Sequence, residues 1–121
     1  MATVLIIDDE APILELLADI VEEKGHVALC ASDGIEGLAL ARATHPDLII
    51  ADVMMPLLDG FTLLRVLRSE PELEHITVVL VSAGFPRGGR FQTNPPADVY
   101  LRKPFDVSAV ESILDQLQSD A

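Results

Sequence analysis

Residues 48–60 read LIIADVMMPLLDG. The run Leu48–Ile50 is continuously apolar, as in a strand covered on both faces, and it leads straight into Asp52. A Met-Met-Pro turn follows, and Asp59-Gly60 then opens an amphipathic stretch with Phe61, Leu64 and Leu67 on one face. Strand, polar tip, loop and helix in that order are half of a parallel crossover unit. A carboxylate at the tip of a buried strand costs several kcal/mol unless something pairs with it or binds there. The fold and the chemistry both turn on that residue.

Outward from this unit the pattern repeats. "TVLIID" (3–8) is a second buried strand. The stretch after it carries Ile13, Leu16, Leu17, Ile20 and Val21 at helical spacing, with Pro12 in the first turn and Gly25 as its stop. "VALCA" (27–31) is a strand, and Asp33 with Glu36 resembles a capping box at the start of the next helix. "ITVVLVS" (76–82) and "DVYLR" (98–102) complete five strands. Asp106 is placed to cap a last helix with Val107, Val110, Leu114 and Leu117 inward. Alternation of this kind gives right-handed crossovers and a parallel sheet with helices on both faces.

One stretch breaks the rhythm. In "GFPRGGRFQTNPP" (84–96), six of thirteen residues are Gly or Pro, so the helix expected there is predicted to be short, irregular or mobile.

Composition narrows the function. With 121 residues, the chain has the length of one domain, and residues 1–121 are read as a single unit. Its 20 acidic and 8 basic side chains give a net charge of −12, which repels phosphate backbones, so direct nucleic-acid binding is not expected. No apolar stretch approaches a membrane span and no signal-peptide pattern precedes Thr3, so a cytoplasmic, membrane-free protein is expected. Cys30, in an apolar run, reads as a small buried residue, and His26, His45 and His75 as solvated loop residues.

In an open parallel sheet, ligands bind beyond the carboxyl ends of the strands. Those ends carry Asp8-Asp9, Asp52, Ser82 and, just after the fifth strand, Lys103. Clustered carboxylates repel one another unless protons or a cation intervene, and an all-oxygen partial cage suits Mg²⁺. The ammonium of Lys103 could pair with a carboxylate or an arriving phosphoryl group, and Ser82 could donate to the same oxygens. Together such groups would favour phosphoryl transfer to a carboxylate oxygen.

The ordered motifs "VLIIDDE", "DLIIADVMMPLLDG", "VVLVSAG" and "VYLRKPF" resemble those of the response-regulator receiver domains of two-component systems, over essentially the whole chain. The resemblance implies a flavodoxin-like, doubly wound sheet of strand order 2-1-3-4-5. It implies that Asp52 is the phosphoacceptor and that Asp8, Asp9, Asp52 and the backbone carbonyl of Met54 hold Mg²⁺. Ser82 and Lys103 would bind the phosphoryl group, Ala83 would leave it room, and Ser82 with Tyr100 would form the switch. The Lys103–Pro104 peptide would be cis. A histidine kinase or phosphotransfer protein would be the donor, meeting the helix that bears Ile13 and Leu17, and a downstream protein partner would read the state. Met54 and Gly84 occupy the two positions that tune phosphate lifetime in that family. Neither side chain can orient a water, which implies a long-lived phosphate. The alternative reading is a pseudo-receiver that binds partners without phosphate. An enzyme acting on outside substrates is disfavoured, since the second acid of the aspartyl-phosphate phosphatases is replaced by Met54.

Overall fold

The apolar runs become strands whose alternate side chains enter two separate cores. In the computed structural model, residues 1–85 and 93–119 are described. The elements run β1 (Thr3–Ile7), α1 (Ala11–Glu23), β2 (Val27–Ala31), α2 (Gly34–Thr44), β3 (Leu48–Asp52), α3 (Gly60–Ser69), β4 (Thr77–Ser82), β5 (Val99–Arg102) and α4 (Val107–Ser119). All four strand pairings are parallel, and the sheet order is β2-β1-β3-β4-β5. The parallel sheet is the one expected from the alternation, and its order is the doubly wound, flavodoxin-like one that the resemblance implied.

Leu5, Ile7, Ile49, Ala51, Val78 and Leu80 face one side and pack with Ala41 of α2 and Leu63, Leu64 and Leu67 of α3. Val4, Ile6, Leu48, Ile50, Val79 and Val81 face the other, against Leu17, Ile20 and Val21 of α1 and Val110 and Leu114 of α4. Full burial of such a side chain contributes about 1.5–3 kcal/mol, so the central strands anchor the domain from both faces. The helix expected within 84–96 falls largely on residues 86–92, which lie outside the described residues; residues 93–98 are not helical.

Helix ends follow local chemistry. The Asp59 carboxylate accepts the Thr62 N–H at 2.8 Å, and Asp33 accepts that of Glu36 at 2.8 Å. The capping box is modified, however: Glu36 reaches back to the hydroxyl of Ser32 at 3.2 Å and to its N–H at 3.4 Å, one residue before the cap. Gly25 takes φ +84° just beyond α1, a conformation glycine adopts without steric cost.

Several single-residue expectations are corrected. Cys30 is exposed, because β2 is an edge strand covered less completely than β1 and β3. His26 is buried at 5% exposure and its Nδ1 accepts the Ala2 N–H at 2.9 Å, so it is not solvated. Leu16 is 42% and Val107 44% exposed, the first at the rim of the apolar stripe of α1 and the second at the open first turn of α4. Leu17 points into the core at 2% exposure and is not available to a docking partner.

Candidate functional site

Parallel strands bring their carboxyl ends to one edge, and there the polar residues gather. Asp8 follows β1 and is 2% exposed; Asp52 closes β3 and is 6% exposed; Ser82 closes β4 and is 5% exposed. Asp9, next in the chain, is solvent-exposed. One carboxylate oxygen from each of Asp8, Asp9 and Asp52 lies within 4.8 Å of the others.

Lys103, one residue past β5, supplies the opposing charge. Its ammonium donates to Asp8 Oδ2 at 3.1 Å, to Glu10 Oε2 at 3.1 Å and to Asp52 Oδ2 at 3.4 Å. Its backbone is tied to β4, where the Lys103 N–H donates to the Ser82 carbonyl at 3.0 Å; the Lys103–Pro104 peptide is cis, as the resemblance implied. Asp8 is held from its other oxygen, Oδ1, which accepts the Glu10 N–H at 2.9 Å; Asp52 Oδ1 accepts the Met54 N–H at 3.3 Å.

The electrostatics are those of a cluster short of positive charge. Burial, followed by the neighbouring Asp8, raises the pKa of Asp52; Lys103 and the Met54 N–H oppose the rise without cancelling it. Burial pulls the Lys103 pKa down, but its bonds to Asp8 and Glu10 and the charges of Asp8 and Asp52 outweigh that, and its ammonium form is held well above the usual range. Three carboxylates thus pair with one ammonium, and Asp9 adds a fourth acid to the cluster.

Beside them opens a cavity of about 310 Å³ lined by Asp9, Glu10, Asp52, Met54, Ala83 and Lys103. It is open enough to admit a small anionic group to the exposed side of Asp52. The donor set is oxygen-only, with buried and exposed carboxylates in reach of one another, which fits a hard divalent ion that keeps some of its waters. A second groove, of about 330 Å³, adjoins it, with Ile13 and Leu16 of α1 on one side and Pro104 and Phe105 on the other.

Two anticipated residues stand apart from this cluster. The Ser82 hydroxyl oxygen accepts the Gly84 N–H at 3.0 Å, a local backbone turn, while the adjacent Ala83 lines the cavity. Tyr100, on β5, bonds into the preceding loop: its hydroxyl accepts from Thr93 N–H and Ala97 N–H, each at 2.9 Å, and pairs with Thr93 Oγ1 at 2.9 Å. Its ring meets Phe85 edge-on at a centroid distance of 5.6 Å. Glu10 was not among the residues singled out in the sequence, although it follows the acidic pair directly.

A family model described as the response regulator receiver domain matches residues 4–115. The transcriptional regulator RpaA of Synechocystis is 40% identical over 116 residues, a match covering 88% of this chain and 45% of RpaA, so this chain spans less than half of that relative. The polar-differentiation response regulator DivK of Brucella ovis is 30% identical over 120 residues, 98% of each chain. Among solved structures, the chemotaxis response regulator CheY4 of Vibrio cholerae superposes with a TM-score of 0.86 at 27% identity, covering 97% of this chain and 98% of that one.

Proposed function

The chain belongs to the response regulator receiver family, and on that footing we propose that it is a phosphorylation-controlled switch, with Asp52 as the residue that accepts the phosphoryl group. The observation that carries the reading is the Lys103 ammonium bonded to Asp52 beside two further aspartates, at a cavity open to solvent. An Asp52 carboxylate oxygen, using a lone pair not engaged by Met54 or Lys103, would attack phosphorus; the bond from phosphorus to the donor's imidazole nitrogen would break with its electron pair staying on that nitrogen, and an acyl phosphate would form. Lys103 would give one of its three N–H bonds to a phosphoryl oxygen, replacing one it now gives to a carboxylate. Ala83, with no side chain beyond Cβ, leaves the group room, and Ser82 would reach it on releasing the Gly84 N–H.

Asp8, Asp9 and Asp52, with the Met54 carbonyl, are the residues that would hold Mg²⁺. That ion would offset the negative charge that gathers on the phosphoryl oxygens. The groove between Ile13, Leu16 and Phe105 lies next to Lys103, which suits it to the apolar surface of a histidine kinase or phosphotransfer protein delivering the phosphoryl group. Action in the cytoplasm is part of the same proposal; among the described residues no helix is long and apolar enough to cross a membrane. In this reading the chain catalyses only its own phosphorylation and dephosphorylation.

Incubation with acetyl phosphate and Mg²⁺, read by intact mass, should add one phosphoryl group to the protein and none to Asp52→Asn. No gain by the unaltered protein would leave the alternative, a module that binds partners without phosphate. Once formed, the phosphate should last minutes or more, because neither Met54 nor Gly84 carries a group that could orient an attacking water. Decay within seconds, followed by the same mass measurement, would contradict this.

A further inference from the structure

Glu10 stands at the N-cap position of α1, where a shorter Ser, Thr, Asp or Asn side chain ordinarily accepts a helix N–H. It makes no such bond; its carboxylate instead holds the Lys103 ammonium at 3.1 Å, across 93 residues of sequence. Lys103 has three N–H donors and gives one each to Asp8, Glu10 and Asp52. Two of those acceptors belong to the carboxylate cluster in which a divalent ion would sit; Glu10 does not. The ammonium and the ion therefore compete for Asp8 and Asp52. A lysine side chain only 17% exposed cannot simply be released into water without losing its packing and its charged partners. The Glu10 side chain, 60% exposed, lines the cavity mouth on the solvent side of the buried pair.

We propose that Glu10 is a positioning residue for Lys103: it retains the ammonium when a divalent cation takes over Asp8 and Asp52, and so lets the cation in. This inference rests on the reading of Asp8, Asp9 and Asp52 as the cation site. Without Glu10, the ammonium has only the two buried carboxylates, and it binds them in place of the metal. Loss of Glu10 thus weakens metal binding by way of Lys103, beyond the small effect of removing a partly exposed charge.

A double-mutant cycle on the full chain, with Mg²⁺ affinity measured by titration calorimetry and no phosphodonor present, tests this. Glu10→Gln should lower the affinity by about tenfold, the low end of what loss of an outer-sphere partner costs. Lys103→Met should tighten binding, since the competing ammonium is gone. In the Lys103→Met background, Glu10→Gln should cost less than about twofold, the remainder from direct charge screened by solvent. Lys103→Gln serves as a second background should the methionine variant fail to fold. An equal loss in both backgrounds, or a Glu10→Gln change under about twofold in the unaltered background, overturns the proposal. Absence of Mg²⁺ binding by the unaltered protein would overturn the cation site itself and this inference with it. Normal Mg²⁺ binding without coupling between Glu10 and Lys103 would overturn this inference alone.

Discussion

At the scale of single residues, Asp52 carries the sharpest consequence. Burial and the Asp8 charge raise its pKa in the folded chain above the ordinary 3.8. A group whose folded pKa is raised binds its proton more tightly in the native state. Below pH 3.8 it is protonated whether folded or unfolded and costs nothing; as pH rises through the folded value, the native state must keep an unwelcome charge. Asp52→Asn removes that charge and leaves Lys103 its bonds to Asp8 and Glu10. In metal-free buffer at pH 7 the variant should melt a few degrees higher, on the order of 1 kcal/mol for a domain of this size, and the gap should close as pH approaches 4. A lower melting temperature at pH 7 would show that Asp52 is stabilised by Lys103 more than it is penalised by burial. Residues at strand ends were readable from the sequence because strand tips in a parallel sheet share an edge, so chain order alone brings Asp8, Asp9, Asp52 and Lys103 together. Glu10 was not, since nothing local shows that its carboxylate forgoes the helix cap for a lysine 93 positions away.

At the scale of elements, the site depends on how closely α3 returns to the tip of β3. Gly60, the first residue of α3, lies so near that an added Cβ would stand 2.8 Å from both the Asp52 carbonyl oxygen and the Val53 Cα. Both are backbone atoms and cannot swing aside. Gly60→Ala should therefore cost about 1–3 kcal/mol in denaturant melts and displace Asp52, lowering the phosphorylation rate as well. A substitution neutral in both measurements would show that the loop between β3 and α3 yields freely. The residues just ahead of β5 are pinned differently, by the Tyr100 hydroxyl that takes both the Thr93 and Ala97 N–H groups. Tyr100→Phe should expose those two amides to hydrogen exchange about tenfold faster while leaving the amides of β1 and β3 protected. Uniform acceleration would mean global destabilisation and no local pin. Element type was legible from periodicity and β-branched runs, but coverage was not: "VALCA" reads as well for a central strand as for the edge strand it forms, which is why Cys30 emerges exposed.

For the molecule as a whole, charge is the dominant unbalanced term. A net charge of −12 on one small domain repels itself, and the excess acid is concentrated further at the strand-end cluster. Two kinds of cation relief should be separable. Added NaCl screens the whole surface, with a Debye length near 10 Å at about 0.1 M, so raising it from about 0.02 to 0.2 M should lift the melting temperature of every variant by a few degrees. Mg²⁺ at matched ionic strength should add a further increment by binding the native state alone: at ten times its dissociation constant, about 1.4 kcal/mol, or roughly 4 °C. Asp9→Asn distinguishes the two, because Asp9 is exposed, packs in neither core and contributes to the cluster only through its carboxylate. The variant should keep the NaCl increment in full and lose most of the Mg²⁺ increment, as read by differential scanning calorimetry. Retention of both would mean that magnesium acts as one more screening ion and that the three aspartates do not form a site.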